Sequence, residues 1–180
     1  THFAGILSSV GRMDVPEDLD YLISISGPEP QRTKLEEILL PQVPDLPGRK
    51  VVLLGRPRES FERWLADGTT VRSHASREEM AVLMNRARFI VSRSGYTTVM
   101  EIAELGKKRC LFIPTPGQTE QEYLSVYYRD RGWFDSRSQY VLRLAADVER
   151  AGRFSGFPPV PRTAENVRRL YDGLFARHLG

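Results

Sequence analysis

Short runs dominated by valine, isoleucine and leucine recur along the chain, and the stretches between them carry apolar residues at helical spacing. A continuous apolar run fits a strand buried on both faces, and its alternation with helical spacing is the pattern of βα units that build a mostly parallel sheet. The runs predict strands at Tyr21 to Ser26, Lys50 to Leu54, around Val71, Phe89 to Ser92, Arg109 to Ile113 and, briefly, Tyr140 to Leu142. The expected fold class is α/β, a Rossmann-like three-layer parallel sheet.

Helices should fill the gaps. Gln31 to Leu40 puts Leu35, Ile38 and Leu39 on one side and is stopped by Pro41. Arg77 to Arg86 has Ser76 as N-cap, Glu79 in the capping-box position and Met80, Leu83 and Met84 as its apolar stripe. Thr97 to Leu105 ends at Gly106, with Lys107 and Lys108 beyond it to favour the negative helix end. Thr119 to Arg131 and Ala164 to Leu179 complete the set. Proline-rich loops run from Pro41 to Gly48 and from Gly156 to Pro161. The expected organisation is a linker over 1–20, a sheet-bearing domain over 21–155, and a loop with a C-terminal helix over 156–180 packed on the same domain.

Composition narrows the function classes. At 180 residues and 41% hydrophobic content, one sizeable core is expected. The net charge of +3 comes from scattered arginines with no basic block, which suits a small anion or an anionic membrane surface and only weakly suggests nucleic acid, and no nucleic-acid partner is expected. The single cysteine, Cys110, sits in an apolar run and reads as a buried hydrophobe. No stretch reaches the roughly 20 apolar residues of a membrane span. The chain starts at Thr1, which suggests an excised domain; a cytoplasmic location is expected, peripheral to the inner membrane face through the missing part.

Two segments carry candidate chemistry. In Phe89-Ile90-Val91-Ser92-Arg93-Ser94-Gly95-Tyr96-Thr97-Thr98-Val99-Met100-Glu101 a buried strand enters a small polar turn and then a helix. Such a turn offers unpaired N–H groups and a positive helix end beyond the carboxyl edge of the sheet, where a diphosphate can sit. Gly95 permits close approach, Ser94, Thr97 and Thr98 add hydroxyls, and Glu101 lies a turn inside the helix, able to accept ribose hydroxyls. An ordinary helix cap would use the same residue types. The second segment, Pro114-Thr115-Pro116-Gly117-Gln118-Thr119-Glu120-Gln121-Glu122-Tyr123, is a stiff loop rich in amides and carboxylates that suit sugar hydroxyls.

From about Ser76 to Tyr123 the chain resembles the C-terminal, donor-binding domain of the family 28 glycosyltransferases, a group that includes the N-acetylglucosaminyltransferase of the peptidoglycan lipid intermediate. Arg93-Ser94-Gly95, Thr98-Val99, Glu101-Ile102, Pro114 and Gln121-Glu122-Tyr123 carry the resemblance, and a coarser likeness extends from Tyr21 to about Trp133. It implies the C-terminal half of a GT-B fold and an inverting hexosyltransferase. The donor would be a UDP-sugar, UDP-N-acetylglucosamine above all, with neither metal nor other cofactor. It implies that Ser94 and Gly95 lie against the donor diphosphate, that Glu101 holds the ribose and that Gln121 reaches the hexose; Tyr96, Thr97, Thr98, Gln118, Thr119 and Glu122 are further donor-binding candidates from the two segments. Ser76, Arg77 and His74 would frame the base. The acceptor and general base would come from an absent N-terminal domain or a membrane-bound partner subunit, so this domain by itself should bind a donor and not turn over. A UDP-sugar epimerase or hydrolase of the same fold, and a noncatalytic subunit of a split transferase, are the alternatives.

One departure concerns the first loop, Ser26-Gly27-Pro28-Glu29-Pro30-Gln31-Arg32, where the family usually has Gly-Gly-Ser-Gln-Gly. Its prolines delete N–H donors and Glu29 repels phosphate, leaving Gly27 and Arg32 as matching contributors. Arg12 is a further candidate for the phosphate, from a hinge. Asp18-Leu19-Asp20 spells a metal-binding motif but precedes a strand instead of following one, and His2, His74 and His178 lack ligand spacing, so no metal site is expected.

Overall fold

The computed structural model describes residues 5–175, so His2 and His178 and the expected helical residues beyond 175 lie outside the described residues. Seven strands form one sheet: β1 (Leu19–Ser24), β2 (Lys50–Leu53), β3 (Glu62–Trp64), β4 (Thr69–Arg72), β5 (Ala87–Ser92), β6 (Cys110–Phe112) and β7 (Asp135–Ser136). Among the described residues six α-helices accompany them: α1 (Gln31–Leu39), α2 (Arg77–Arg86), α3 (Tyr96–Leu105), α4 (Thr119–Asp130), α5 (Leu144–Ala151) and α6 (Thr163–Phe175).

The spatial order is β3-β4-β2-β1-β5-β6-β7, and all pairs are parallel except β3 with β4. Without the antiparallel β3, this is the doubly wound Rossmann order, which reverses direction between β1 and β5. A crevice is expected outside the carboxyl ends of those two strands, and both the proline-rich first loop and the Ser94 turn leave the sheet there.

Alternation along β1 sets the two core layers. Ile23, fully buried, faces the layer of Leu35 and Leu39 from α1 and Leu144, Val148 and Ala151 from α5. Leu22 faces the opposite layer of Leu83 and Met84 from α2, Val99, Ile102 and Leu105 from α3, and Tyr128 from α4. Each fully buried aliphatic side chain contributes about 1.5–3 kcal/mol. Cys110 is buried in the second layer, and burial pushes its thiol up, away from reactivity.

Four elements differ from the sequence expectations. Tyr140 to Leu142 is not a strand: Gln139–Val141 is a 3₁₀ turn in which Tyr140 and Val141 are exposed and only Leu142 enters the core. The last strand is instead Asp135–Ser136, short and polar, which no apolar run marks. Two elements were not foreseen: α5, and the edge strand β3, whose three residues are all exposed.

Candidate functional site

The site is built where β5 ends. Arg93 turns inward and is 2% exposed. Its guanidinium donates to Ser26 O (3.1 Å), Gln31 O (3.0 Å), Ile113 O (3.1 Å) and Pro114 O (3.1 Å). These carbonyls belong to the loop after β1, the first turn of α1 and the end of β6. Burial pushes Arg93 down to about 10, so it stays protonated at neutral pH.

Ser94 is also buried, and its hydroxyl is engaged with α4. It donates to Gln121 O (3.0 Å) and accepts from the Ser125 hydroxyl (2.9 Å). The Ser94 side chain therefore fastens α3 to α4 and does not cap its own helix. Gly95 is the N-cap of α3, and no side chain caps that end. The first-turn N–H groups of α3 are left for solvent or an anion.

The β6–α4 loop closes the other side. Gln121 Oε1 accepts from Thr115 N (2.9 Å), its amide donates to Gln118 Oε1, and Glu122 accepts from Gly117 N (3.0 Å). Gly95, Tyr96, Thr97 and Thr98 on α3 and Gln118, Thr119, Glu120 and Gln121 on the loop line one cleft of about 350 Å³. The two segments singled out in the sequence thus meet. Glu101, half-buried, lies a turn further along α3; burial raises its carboxyl above the ordinary range, with Arg77 pulling the other way. That coupling places Arg77 on the Glu101 side.

The remaining candidates lie elsewhere or are committed to other partners. Ser76 and Glu79 form a complete capping box on α2, and Glu79 also pairs with Arg72. His74 shares a hydrogen bond with the Ser73 hydroxyl (3.1 Å). Gly27, at φ 114°, approaches the Thr115 hydroxyl and Arg93 so closely that a Cβ would lie 3.4 Å from Thr115 Oγ1. Arg32 is held by Glu29 and by Glu36, the latter at 2.8 Å, and donates to Leu54 O. Arg12 lies at the opposite edge of the sheet, donating to Leu105 O (3.0 Å) at the far end of α3. Asp18 and Asp20 are at that edge too, bound to Arg86, Arg49 and Arg88. Among the described residues no group of acidic, histidine and cysteine side chains is arranged to hold a metal ion.

A larger cavity, about 490 Å³, opens at the far end of α3 between Arg12, Lys108, Trp133 and Phe157. It is remote from the crevice that strand order creates, and the chemistry of the smaller cleft outweighs volume. Sequence reasoning gave Arg93 no role, because nothing in a sequence distinguishes an arginine turned under a sheet edge from a solvated one.

Residues 53–132 match the family model described as the glycosyltransferase family 28 C-terminal domain. No curated protein matches the chain. Among solved structures, the glycotransferase of kitacinnamycin aligns with a TM-score of 0.55 and 19% identity over 96% of this chain and 43% of that one. MurG of Acinetobacter baumannii aligns with 0.55 and 21% over 77% and 41%, and SnogD of Streptomyces nogalater with 0.56 and 16% over 92% and 47%. The chain thus spans less than half the length of these proteins, and at such identity they share its fold. Among the described residues no helix is long and apolar enough to cross a membrane. Over residues 53–132 the chain is similar to the C-terminal domain of the family 28 glycosyltransferases, and it shares its fold with part of each of these solved structures.

Proposed function

We propose that this chain is the donor-binding domain of an inverting glycosyltransferase and holds a UDP-sugar, UDP-N-acetylglucosamine first among candidates, for transfer to an acceptor bound by another domain or subunit. The observation that carries the reading is the uncapped start of α3 opening into the same cleft as Gln118 to Gln121. The free N–H groups and the positive helix end suit a diphosphate, Glu101 suits the ribose hydroxyls, and the loop amides and carboxylates suit a hexose.

In the reaction, the acceptor oxygen bonds to the anomeric carbon as the bond from that carbon to the phosphate oxygen breaks, and UDP departs with the electron pair. This domain stabilises the growing charge on the departing diphosphate through N–H dipoles that are oriented beforehand. The acceptor proton goes to a base contributed by the acceptor-binding part. Association with the inner face of a membrane belongs to that part as well.

Calorimetric titration with UDP, UDP-N-acetylglucosamine, UDP-glucose, dTDP, GDP and NAD, without and then with magnesium, tests the reading. The solved structure of the glycosyltransferase VinC, which aligns with this chain at a TM-score of 0.56 and 15% identity, is a complex with dTDP, and that nucleotide is included for this reason. Metal-independent binding of the UDP species, tightest for the N-acetylated sugar, is expected. Preference for dTDP would replace uridine in the proposal; preference for NAD, or no binding, would remove the proposal.

A further inference from the structure

The cations near the carboxyl edge are mostly neutralised. Arg32 is held by Glu29 and Glu36, and Arg56 by Glu36 at 2.6 Å and Glu59 at 3.2 Å. Two arginines and three carboxylates leave the neighbourhood of the first loop with no net positive charge, and Pro28 and Pro30 lack N–H groups there. Arg93 is not neutralised in this way. It is buried, and among the described residues no carboxylate pairs with it.

A buried charge without a counter-charge is costly even when dipoles solvate it. Here four carbonyl oxygens do so, drawn from three separate segments on both sides of the β1/β5 crevice. Beside it the buried Thr115 hydroxyl has no hydrogen-bond partner. A group of this kind has two effects at once: it fixes the relative position of the loops it grips, and it contributes a field that water screens weakly.

Resting on the donor-site reading above, we propose that Arg93 is the positioning residue of that site. Its buried guanidinium stands behind the β5–α3 turn as the counter-charge to the donor diphosphate, and its carbonyl bonds lock the β1–α1 and β6–α4 loops around the ligand. The charge that the first loop cannot supply thus comes from beneath it. Arg93 need not touch the donor: it acts through the N–H groups of the turn that does.

The experiment compares UDP with uridine on the intact protein, by calorimetry, for wild type, Arg93→Gln and Arg93→Lys. Removing the charge is expected to weaken UDP about tenfold or more while leaving uridine within about twofold, and lysine is expected to recover most of the UDP affinity. Equal losses for both ligands, or a lysine variant no better than the glutamine one, would overturn the proposal and leave Arg93 a structural strut. Should Arg93→Gln fail to fold, the Nε–H resonance of Arg93 decides in the wild type, identified by its disappearance in Arg93→Lys. It is expected to shift with UDP and stay in place with uridine, and the same shift with both ligands would sink the idea. A wild type that binds neither ligand would instead remove the donor-site reading itself.

Discussion

Glu101 carries opposing demands that make its role measurable. Burial raises its folded-state pKa above the ordinary value of 4.5, so the protonated form favours the fold. Its contribution to stability is therefore greatest below that ordinary value and declines as pH rises through the raised one. The proposed ribose contact runs the other way, because two hydroxyl donors need the ionised carboxylate. Affinity for a UDP-sugar, whose diphosphate does not titrate in this window, should rise as pH climbs from about 4.5 through the raised value. Glu101→Gln should flatten both slopes and weaken the nucleotide about tenfold or more, the usual cost of losing hydrogen bonds to a charged group. Calorimetry across that window checks this, and a flat wild-type profile would deny Glu101 the ribose. Core residues need no such balance. Phe134 is fully buried and meets Phe112 and Phe157 edge-on, with centroids 5.4 and 4.8 Å apart. Phe134→Ala should cost about 3–5 kcal/mol in urea denaturation.

The starts of α2 and α3 are built oppositely. α2 has a complete capping box, with Ser76 Oγ accepting from Glu79 N and Glu79 accepting from Ser76 N (2.7 Å), whereas α3 begins at an uncapped glycine. Ser76→Ala should cost about 1 kcal/mol of stability. At α3 the converse change separates fold from function. Gly95 has φ −66°, and a Cβ there would meet nothing nearer than the Gln121 amide nitrogen at 3.9 Å, so a side chain fits. Gly95→Asp should supply the missing cap, hold or raise the unfolding midpoint, and weaken UDP about tenfold or more by placing a carboxylate at the proposed phosphate position. Unchanged UDP affinity in a stable Gly95→Asp protein would mean that no diphosphate binds there. The same contrast governs what was legible in the sequence. α2 could be bounded correctly because its cap and stripe are local, and the Ser94 turn and the Gln121 loop could be placed at one edge because βα order dictates it. β3 was invisible because Glu62, Arg63 and Trp64 all face solvent and leave no buried face to detect. α5 left a readable trace in Leu144, Val148 and Ala151, but a short helix after an apolar Tyr-Val-Leu run was masked by the strand that run suggested. That Ser94 would turn toward α4, and Arg93 beneath the sheet edge, depends on contacts that only the folded chain supplies.

At the scale of the molecule, the two ends of the described chain meet against α3, far from the proposed donor cleft. Glu104, nearly buried near the end of α3, accepts from Thr163 N (2.8 Å) and Thr163 Oγ1 (2.9 Å), and the same Thr163 oxygen accepts from Ser8 N (2.9 Å). Asn166 reaches Ile6 O (2.9 Å) and Pro161 O (3.1 Å). These bonds fasten an extended segment and the first turn of α6 to a sheet whose central pairs, β1 with β2 and β5, are bonded along their length. Val167 of α6 is exposed, and among the described residues before β1 Val10 is the buried apolar side chain that joins the core, while the sheet is covered on both faces. A seam of that kind should open without the core, because local unfolding follows the elements with least buried apolar surface. Glu104→Ala should therefore release the amides of Ser8, Thr163 and Asn166 to faster hydrogen exchange while those of Leu22, Ile23, Ile90 and Val91 stay as protected as in the wild type. UDP affinity should be unaffected, since the seam and the cleft are at opposite ends of α3. A uniform loss of protection would instead make Glu104 part of the global fold, and a loss of UDP affinity with the sheet intact would show that α3 transmits changes at its far end to the donor cleft.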